Sequence, residues 1–154
     1  MLTITDGSLS RFVRKCQDLP GQHLFRWIDG TGEAHPVSSS DVNAYIREAM
    51  GEDYSAKHFR TWGASVLAFE ALATADHDIS LKTMLEPVTE ALGNTPAIAR
   101  KSYVHPALIA LVKQDQAHLR AARLPRATQY LSRAERGLID FLEKGSVVAP
   151  AEAA

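Results

Sequence analysis

The chain has 154 residues, of which 45% are hydrophobic and 23% are charged, and its formal net charge is −1. This length and composition are typical of a globular protein with its own hydrophobic core. The single cysteine excludes an internal disulfide and a cysteine-rich zinc site. No apolar run approaches the ~20 residues that a membrane-spanning helix needs, so no membrane partner is expected.

The first predicted elements are a helix and a small hairpin. Apolar residues recur at helical spacing in the first segment, which Pro20 and Gly21 end: Leu9, Phe12, Val13 and Cys16. Residues 24–28 and 33–37 flank a turn-forming Asp-Gly-Thr-Gly sequence, so they are predicted to pair as a hairpin.

Capped amphipathic helices are predicted from there to the carboxy terminus. Residues 38–41 offer N-caps for a helix that ends near Gly51, and Ser80 caps another that ends at Leu92 and Gly93. Between them lies a helix with an apolar stripe that should enter the core: Phe59, Trp62, Val66, Phe69 and Ala73. Thr95-Pro96 and Pro106 begin two short helices, and a last helix carries Tyr130, Leu131, Leu138, Ile139 and Leu142. The predicted fold class is therefore mainly α, with a small β element near the amino terminus.

Three polar residues on these segments suggest chemistry on a phosphodiester. Arg60 lies three residues after Lys57 on one helix face, Asn94 follows a helix-ending glycine, and Tyr103 ends a short helix. Arginine presents a fork of donors that matches phosphate oxygens, an amide can donate to the same group, and a tyrosine oxygen can form a covalent intermediate.

Each of these residues also has a structural interpretation. Lys57 and Arg60 can be surface residues of an amphipathic helix, and Tyr103 can be a core tyrosine. Asn94 can cap the helix that follows it, unless Thr95 is the cap and leaves Asn94 free. The net charge of −1 also lacks the basic excess that is usual for a DNA-binding domain, although basic residues crowd the later third of the chain.

Four longer strings carry a resemblance to a known family. Residues 13–22, 39–48, 55–62 and 92–106 resemble the bacterial, poxvirus-like branch of the type IB DNA topoisomerases. The resemblance implies the carboxy-terminal part of the catalytic domain that these enzymes share with tyrosine recombinases. It places this partial domain at residues 1–145, followed by a flexible tail at 146–154.

The resemblance assigns a role to each candidate residue. Tyr103 matches the nucleophile that becomes joined to a 3′ phosphate, and Arg60 matches an arginine that contacts the scissile phosphate. Asn94 stands where many relatives have histidine. Lys57, Arg100 and Lys101 are expected to contact DNA.

The same resemblance implies the partners and the setting. Double-stranded DNA is the expected partner of a monomer that needs no nucleotide, metal or other cofactor, because the covalent bond conserves the energy for resealing. The expected location is the cytoplasm, with the nucleoid.

Two catalytic residues of the family have no match in this sequence. These are a second arginine and a lysine that protonates the leaving 5′ oxygen from a hairpin upstream, and residues 2–6 resemble the strand that follows this hairpin. The expectation is therefore a truncated catalytic domain of uncertain activity. The alternatives are a non-catalytic DNA-binding remnant and a tyrosine recombinase-like strand transferase.

Overall fold

A computed structural model describes residues 5–19, 21–114 and 116–146, so the predictions for residues 2–4, for Pro20 and for the tail beyond Ser146 lie outside the described residues. The described chain is mostly helical, with a two-stranded sheet near its amino terminus, as predicted. None of the helices in the described ranges is long and apolar enough to cross a membrane. In chain order the elements are α1 (Gly7–Gln17), β1 (Arg26–Ile28), β2 (Ala34–Pro36), α2 (Ser39–Met50), α3 (Ala56–Thr74), α4 (Leu81–Leu92), α5 (Pro96–Ser102), α6 (Pro106–Leu111), α7 (Ala117–Ala121) and α8 (Arg133–Ser146).

The first of two compact units, Met1–Ala56, contains the predicted hairpin. β1 and β2 pair antiparallel with Trp27 opposite His35, and the two rings stack with their centroids 4.7 Å apart. The carboxylate of Asp29 accepts hydrogen bonds from the backbone N–H groups of Thr31, at 2.9 Å, and Glu33, at 3.0 Å. Since these bonds form within five residues of chain, the turn residues alone were enough to predict the hairpin.

Both helices of this unit begin at capping side chains. The Asp6 carboxylate accepts a hydrogen bond from the Leu9 N–H at 2.7 Å and starts α1. Ser38 and Asp41 form a reciprocal capping box at the start of α2, in which each side chain accepts from the other residue's backbone N–H.

The second unit, Lys57–Ala154, is built around α3. The buried face of α3 and the facing side of α4 form the centre of its core, which α5, α6, α7 and α8 complete. The buried residues of the two central helices are Ala64, Ser65, Ala68, Phe69 and Leu72 of α3, and Met84, Leu85 and Val88 of α4.

The prediction that Phe59 enters the core is wrong, because 54% of this residue is exposed. Phe59 lies nine residues before the fully buried Ala68, which is about half a turn around a helix with ~3.6 residues per turn. The prediction is confirmed for the other residues of the stripe: Phe69 is buried, and Trp62, Val66 and Ala73 pack against the core.

The last helix begins later than its apolar pattern suggested. Tyr130 is 84% exposed and precedes α8, together with Leu131. α8 begins after Ser132, whose N–H donates to the Glu135 carboxylate at 2.7 Å while its hydroxyl accepts from the Glu135 N–H at 3.1 Å. The same carboxylate accepts a hydrogen bond from the Trp62 indole at 3.1 Å, so it also joins α8 to α3.

The Glu135 carboxylate makes the stability of this unit dependent on pH. Hydrogen bonds from the Ser132 backbone, the Trp62 indole and the Ser132 hydroxyl lower the pKa of Glu135 below its ordinary value of 4.5. A lowered folded-state pKa stabilises the protein above the ordinary value, and this contribution is lost as the pH falls through the folded value. We therefore expect Glu135→Gln, which keeps the shape, to lower the free energy of unfolding at pH 7, with the difference from the unsubstituted chain shrinking below about pH 4.5.

Urea unfolding at a series of pH values measures this difference. Glu143→Gln is the matched control, since Glu143 is an exposed residue of the same helix. Equal pH dependence in Glu135→Gln and Glu143→Gln would contradict the prediction.

Candidate active site

The structure places Arg60 directly against Tyr103. The guanidinium carbon of Arg60 lies 5.3 Å from the centroid of the Tyr103 ring, within the range of a cation–π contact. The Nη2 atom of Arg60 also donates to the backbone carbonyl of Leu92, the last residue of α4, at 3.3 Å. Arg60 therefore joins α3 to the end of α4 and to the residue that follows α5.

The cap of α5 is Thr95, so Asn94 does not cap that helix. The Thr95 hydroxyl accepts a hydrogen bond from the Ile98 N–H at 3.4 Å. Gly93 ends α4 in the left-handed region at φ 65°, so the chain reverses just before Asn94. The Nδ2 atom of Asn94 is buried, and it has no hydrogen-bond partner among the described residues. A buried donor in this state costs about 1 to 3 kcal/mol, so the site holds an unused donor two residues beyond the carbonyl that Arg60 contacts.

Tyr103 is held by a residue that the sequence did not single out. Its backbone N–H donates to the Ala99 carbonyl at 3.1 Å and closes α5, and its ring is half-buried against the core. Ser65, which is only 4% exposed, accepts from the His105 N–H at 3.0 Å and donates its hydroxyl to the Tyr103 carbonyl at 3.4 Å. A serine on the otherwise apolar buried face of α3 was the available sequence signal, because buried hydroxyls need partners.

The predicted DNA-binding residues lie on two helices. Lys57 is exposed on α3, one turn before Arg60. Arg100 and Lys101 are exposed on the last turn of α5. Arg100 and Lys101, but not Lys57, line an open groove of about 560 Å³, whose other described lining residues are Ala97, Pro106, Ile109, Ala110 and Lys113.

A group of residues with metal-binding side chains lies elsewhere, in the hairpin. In the part of the chain that the structure describes, Asp29, Glu33 and His35 bring one ligand atom each within 4.8 Å of the others. Hydrogen bonds from the Thr31 hydroxyl, the His35 ring and the Glu33 backbone hold the pKa of Asp29 well below its usual range. These bonds occupy the Asp29 carboxylate and account for the cluster as part of the turn.

Comparisons with known proteins show which family the chain matches. Residues 6–105 match the family of the catalytic core of eukaryotic DNA topoisomerase I, and this match includes Arg60, Asn94 and Tyr103. The chain is also similar to DNA topoisomerase 1B of Acanthamoeba polyphaga mimivirus, with 31% identity over 106 residues. That alignment covers 60% of this chain and 32% of the viral protein, so the chain spans about a third of the length of this relative.

The two hydrogen bonds of Ser65 predict the effect of removing its hydroxyl. Ser65→Ala leaves the His105 N–H without its acceptor, so we expect the free energy of unfolding to fall by about 1 kcal/mol. In hydrogen exchange, the His105 amide should lose protection while the Val104 amide, which donates to the Ala99 carbonyl at 3.0 Å, should keep it. Ser102→Ala, at an exposed position, is the control. Unchanged exchange at His105 in Ser65→Ala would show that Ser65 does not hold this turn.

Proposed function

Because this chain belongs to the family of DNA topoisomerase I catalytic cores, we propose that it cleaves and reseals one strand of double-stranded DNA by transesterification at Tyr103. The Tyr103 oxygen loses its proton and attacks the phosphorus, the bond from phosphorus to the 5′ oxygen breaks, and that oxygen takes up a proton. The product is a 3′-phosphotyrosyl ester and a free 5′ hydroxyl. Reversal of the same step reseals the strand, and rotation of the DNA in between relaxes supercoils.

The observation that carries this proposal is the position of the Arg60 guanidinium, 5.3 Å from the Tyr103 ring centroid. A phosphate that reaches the Tyr103 oxygen would lie within range of a planar, permanently charged donor group. Charge on the phosphate oxygens grows as the tyrosine attacks, so a donor fixed beside the reacting group lowers the barrier. Arg60 is thus positioned to stabilise the charge that develops on the phosphate oxygens.

Asn94 supplies a second donor in the proposal. Its Nδ2 is buried and unpaired among the described residues, and its neighbour Thr95 performs the capping. A non-bridging phosphate oxygen would satisfy this amide. Unlike the histidine found here in many relatives, an asparagine donates without a change of charge near neutral pH.

The remaining features of the proposal follow from the resemblance. The chain belongs to the bacterial, poxvirus-like branch, in which asparagine at the position of Asn94 is an accepted variant. Residues 1–145 are part of the catalytic domain and 146–154 a tail, and the protein acts as a monomer on nucleoid DNA in the cytoplasm, without a nucleotide. Lys57, Arg100 and Lys101 contact the DNA backbone, since lysine and arginine bind phosphates without regard to sequence.

A DNA strand with a sulfur atom in place of the 5′ bridging oxygen tests the nucleophile. The sulfur leaves without a proton donor, so the assay does not depend on the family's general-acid lysine, which has no match here. We expect the chain to form a covalent adduct with this DNA, Tyr103→Phe to form none, and Arg60→Ala to form it about 10² to 10³ times more slowly. Trapping with detergent and gel electrophoresis measures the adduct.

Tyr103→Phe keeps the ring on which Arg60 rests, so its fold should survive and circular dichroism serves as the control. An adduct with Tyr103→Phe would refute the assignment of the nucleophile. No adduct with the unsubstituted chain, alongside measurable DNA binding, would favour a non-catalytic DNA-binding protein.

Neighbouring substitutions separate the role of Asn94 from that of Thr95. Asn94→Ala removes a buried donor that has no partner in the described part of the chain, so we expect unchanged or higher stability together with adduct formation that is about 10² times slower. Thr95→Ala removes the cap and should lower the free energy of unfolding by about 1 kcal/mol, with little effect on the rate once the folded fraction is equal. Urea unfolding and the rate of adduct formation measure both. Loss of stability without loss of rate in Asn94→Ala would mean that the amide is structural.

A further inference from the structure

The groove between α5 and α6 has a one-sided distribution of charge. Among the described residues, its lining contains three cationic side chains, from Arg100, Lys101 and Lys113, and no acidic residue. The other described residues of the lining are apolar or small, namely Ala97, Pro106, Ile109 and Ala110. A concave surface of this kind concentrates positive potential and attracts anions.

Arg100, Lys101 and Lys113 also form no ion pair within the described ranges. The ion pairs of the described residues join His35 to Asp29 and Arg120 to Asp78, and neither pair includes a residue of the groove. Three like charges around one groove repel each other, and a bound polyanion would relieve that repulsion. What distinguishes the groove is that three cations share one concave surface with no acidic residue among its described lining residues.

The groove lies on the outer side of the segment that carries Tyr103. Ala99 and Val104 are buried, whereas Arg100 and Lys101 are exposed, so α5 turns one side to the core and the other to the groove. The turn between α5 and α6 is the one that Ser65 holds through Tyr103 and His105. The same turn therefore fixes the position of the Tyr103 backbone and the angle between the two walls of the groove.

We propose that this groove is a phosphate-backbone site for DNA, separate from the contacts of Arg60 and Asn94, and that Lys113 is one of its contacts. This inference rests on the proposed function, since it takes DNA as the polyanion. A duplex carries one negative charge per ~1.7 Å of helix axis, so a single strand of its backbone can meet several cations of one groove. The groove holds DNA without covalent chemistry, while Tyr103 attacks a different phosphate.

The dependence of binding on salt tests the proposal, because each phosphate contact contributes to its slope. Binding of Tyr103→Phe to a duplex of about 20 base pairs is measured between about 50 and 200 mM salt, with and without Lys113→Gln. We expect Lys113→Gln to reduce the slope of log K against log salt by about 0.9 and to weaken binding similarly for unrelated DNA sequences. Lys82→Gln, at an exposed position on α4, is the matched control and should leave the slope unchanged.

The outcomes distinguish this proposal from the proposed function. If the chain forms the covalent adduct but Lys113→Gln binds with an unchanged slope, the groove proposal is overturned and the proposed function stands. If the unsubstituted chain neither binds the duplex nor forms an adduct, the proposed function fails and the groove proposal fails with it. If Lys113→Gln loses binding of inorganic phosphate but keeps the full DNA slope, the groove is a site for a small anion and the proposal is wrong.

Discussion

The buried hydroxyl of Ser65 is the contact on which the geometry of the candidate site depends. It bonds to the backbone on both sides of Val104, so it fixes the turn that carries Tyr103 to the middle of α3. Arg60 lies on the same helix, five residues earlier. One rigid helix therefore determines where the cation and the tyrosine meet, and neither of them depends on a flexible loop for its position.

The contacts of Arg60 in the DNA-free protein are weak enough to be replaced. A cation–π contact at an exposed site contributes about 0.5 to 1 kcal/mol, and a hydrogen bond to a neutral carbonyl contributes a similar amount. A charged hydrogen bond to phosphate contributes about 1.5 to 3 kcal/mol, and the guanidinium can form two of them. Arg60 is thus held near Tyr103 before DNA binds, and a phosphate would outcompete the Leu92 carbonyl for its N–H groups. The unpaired amide of Asn94 requires no such exchange, because it gives up no partner within the described residues.

Features that depend on a few neighbouring residues could be predicted from the sequence. Ser80 caps α4 and Gly93 ends it, as predicted, because each acts on backbone groups within one turn. For α2 and α5 the sequence offered alternative caps, and the structure has Ser38 and Thr95 in that role. Features that depend on packing could not be predicted in this way. The buried face of α3 runs along Ala64, Ala68 and Leu72, and large apolar residues nearby drew the prediction toward Phe59.

In the candidate site, too, the residues could be identified from the sequence, whereas their long-range contacts could not. The identities of Arg60, Asn94 and Tyr103 came from motifs and a resemblance, and their assigned roles stay predictions. The contact of Arg60 with Tyr103 spans 43 positions of sequence, and the bonds of Ser65 span 38 and 40. No local pattern specifies contacts at such separations. The short helix α7 also gave no recognisable signal, since it has five residues and no capping side-chain bond.

The net charge of −1 is a poor guide to nucleic-acid binding, because the contacts of the individual cations differ. Arg120 pairs with Asp78, and Arg136 donates to the Arg126 carbonyl at 2.7 Å, so these residues serve the fold. The cations of the α5–α6 groove have no acidic partner in the described part of the chain, and they lie next to the segment of Tyr103. Attraction between charges falls with distance and is screened within about 10 Å at 0.1 M salt, so the charges that line the groove affect a bound phosphate more than the net charge of the whole chain does. The local excess of positive charge around this groove, which the net charge of the whole sequence does not reveal, is the quantity that bears on DNA binding.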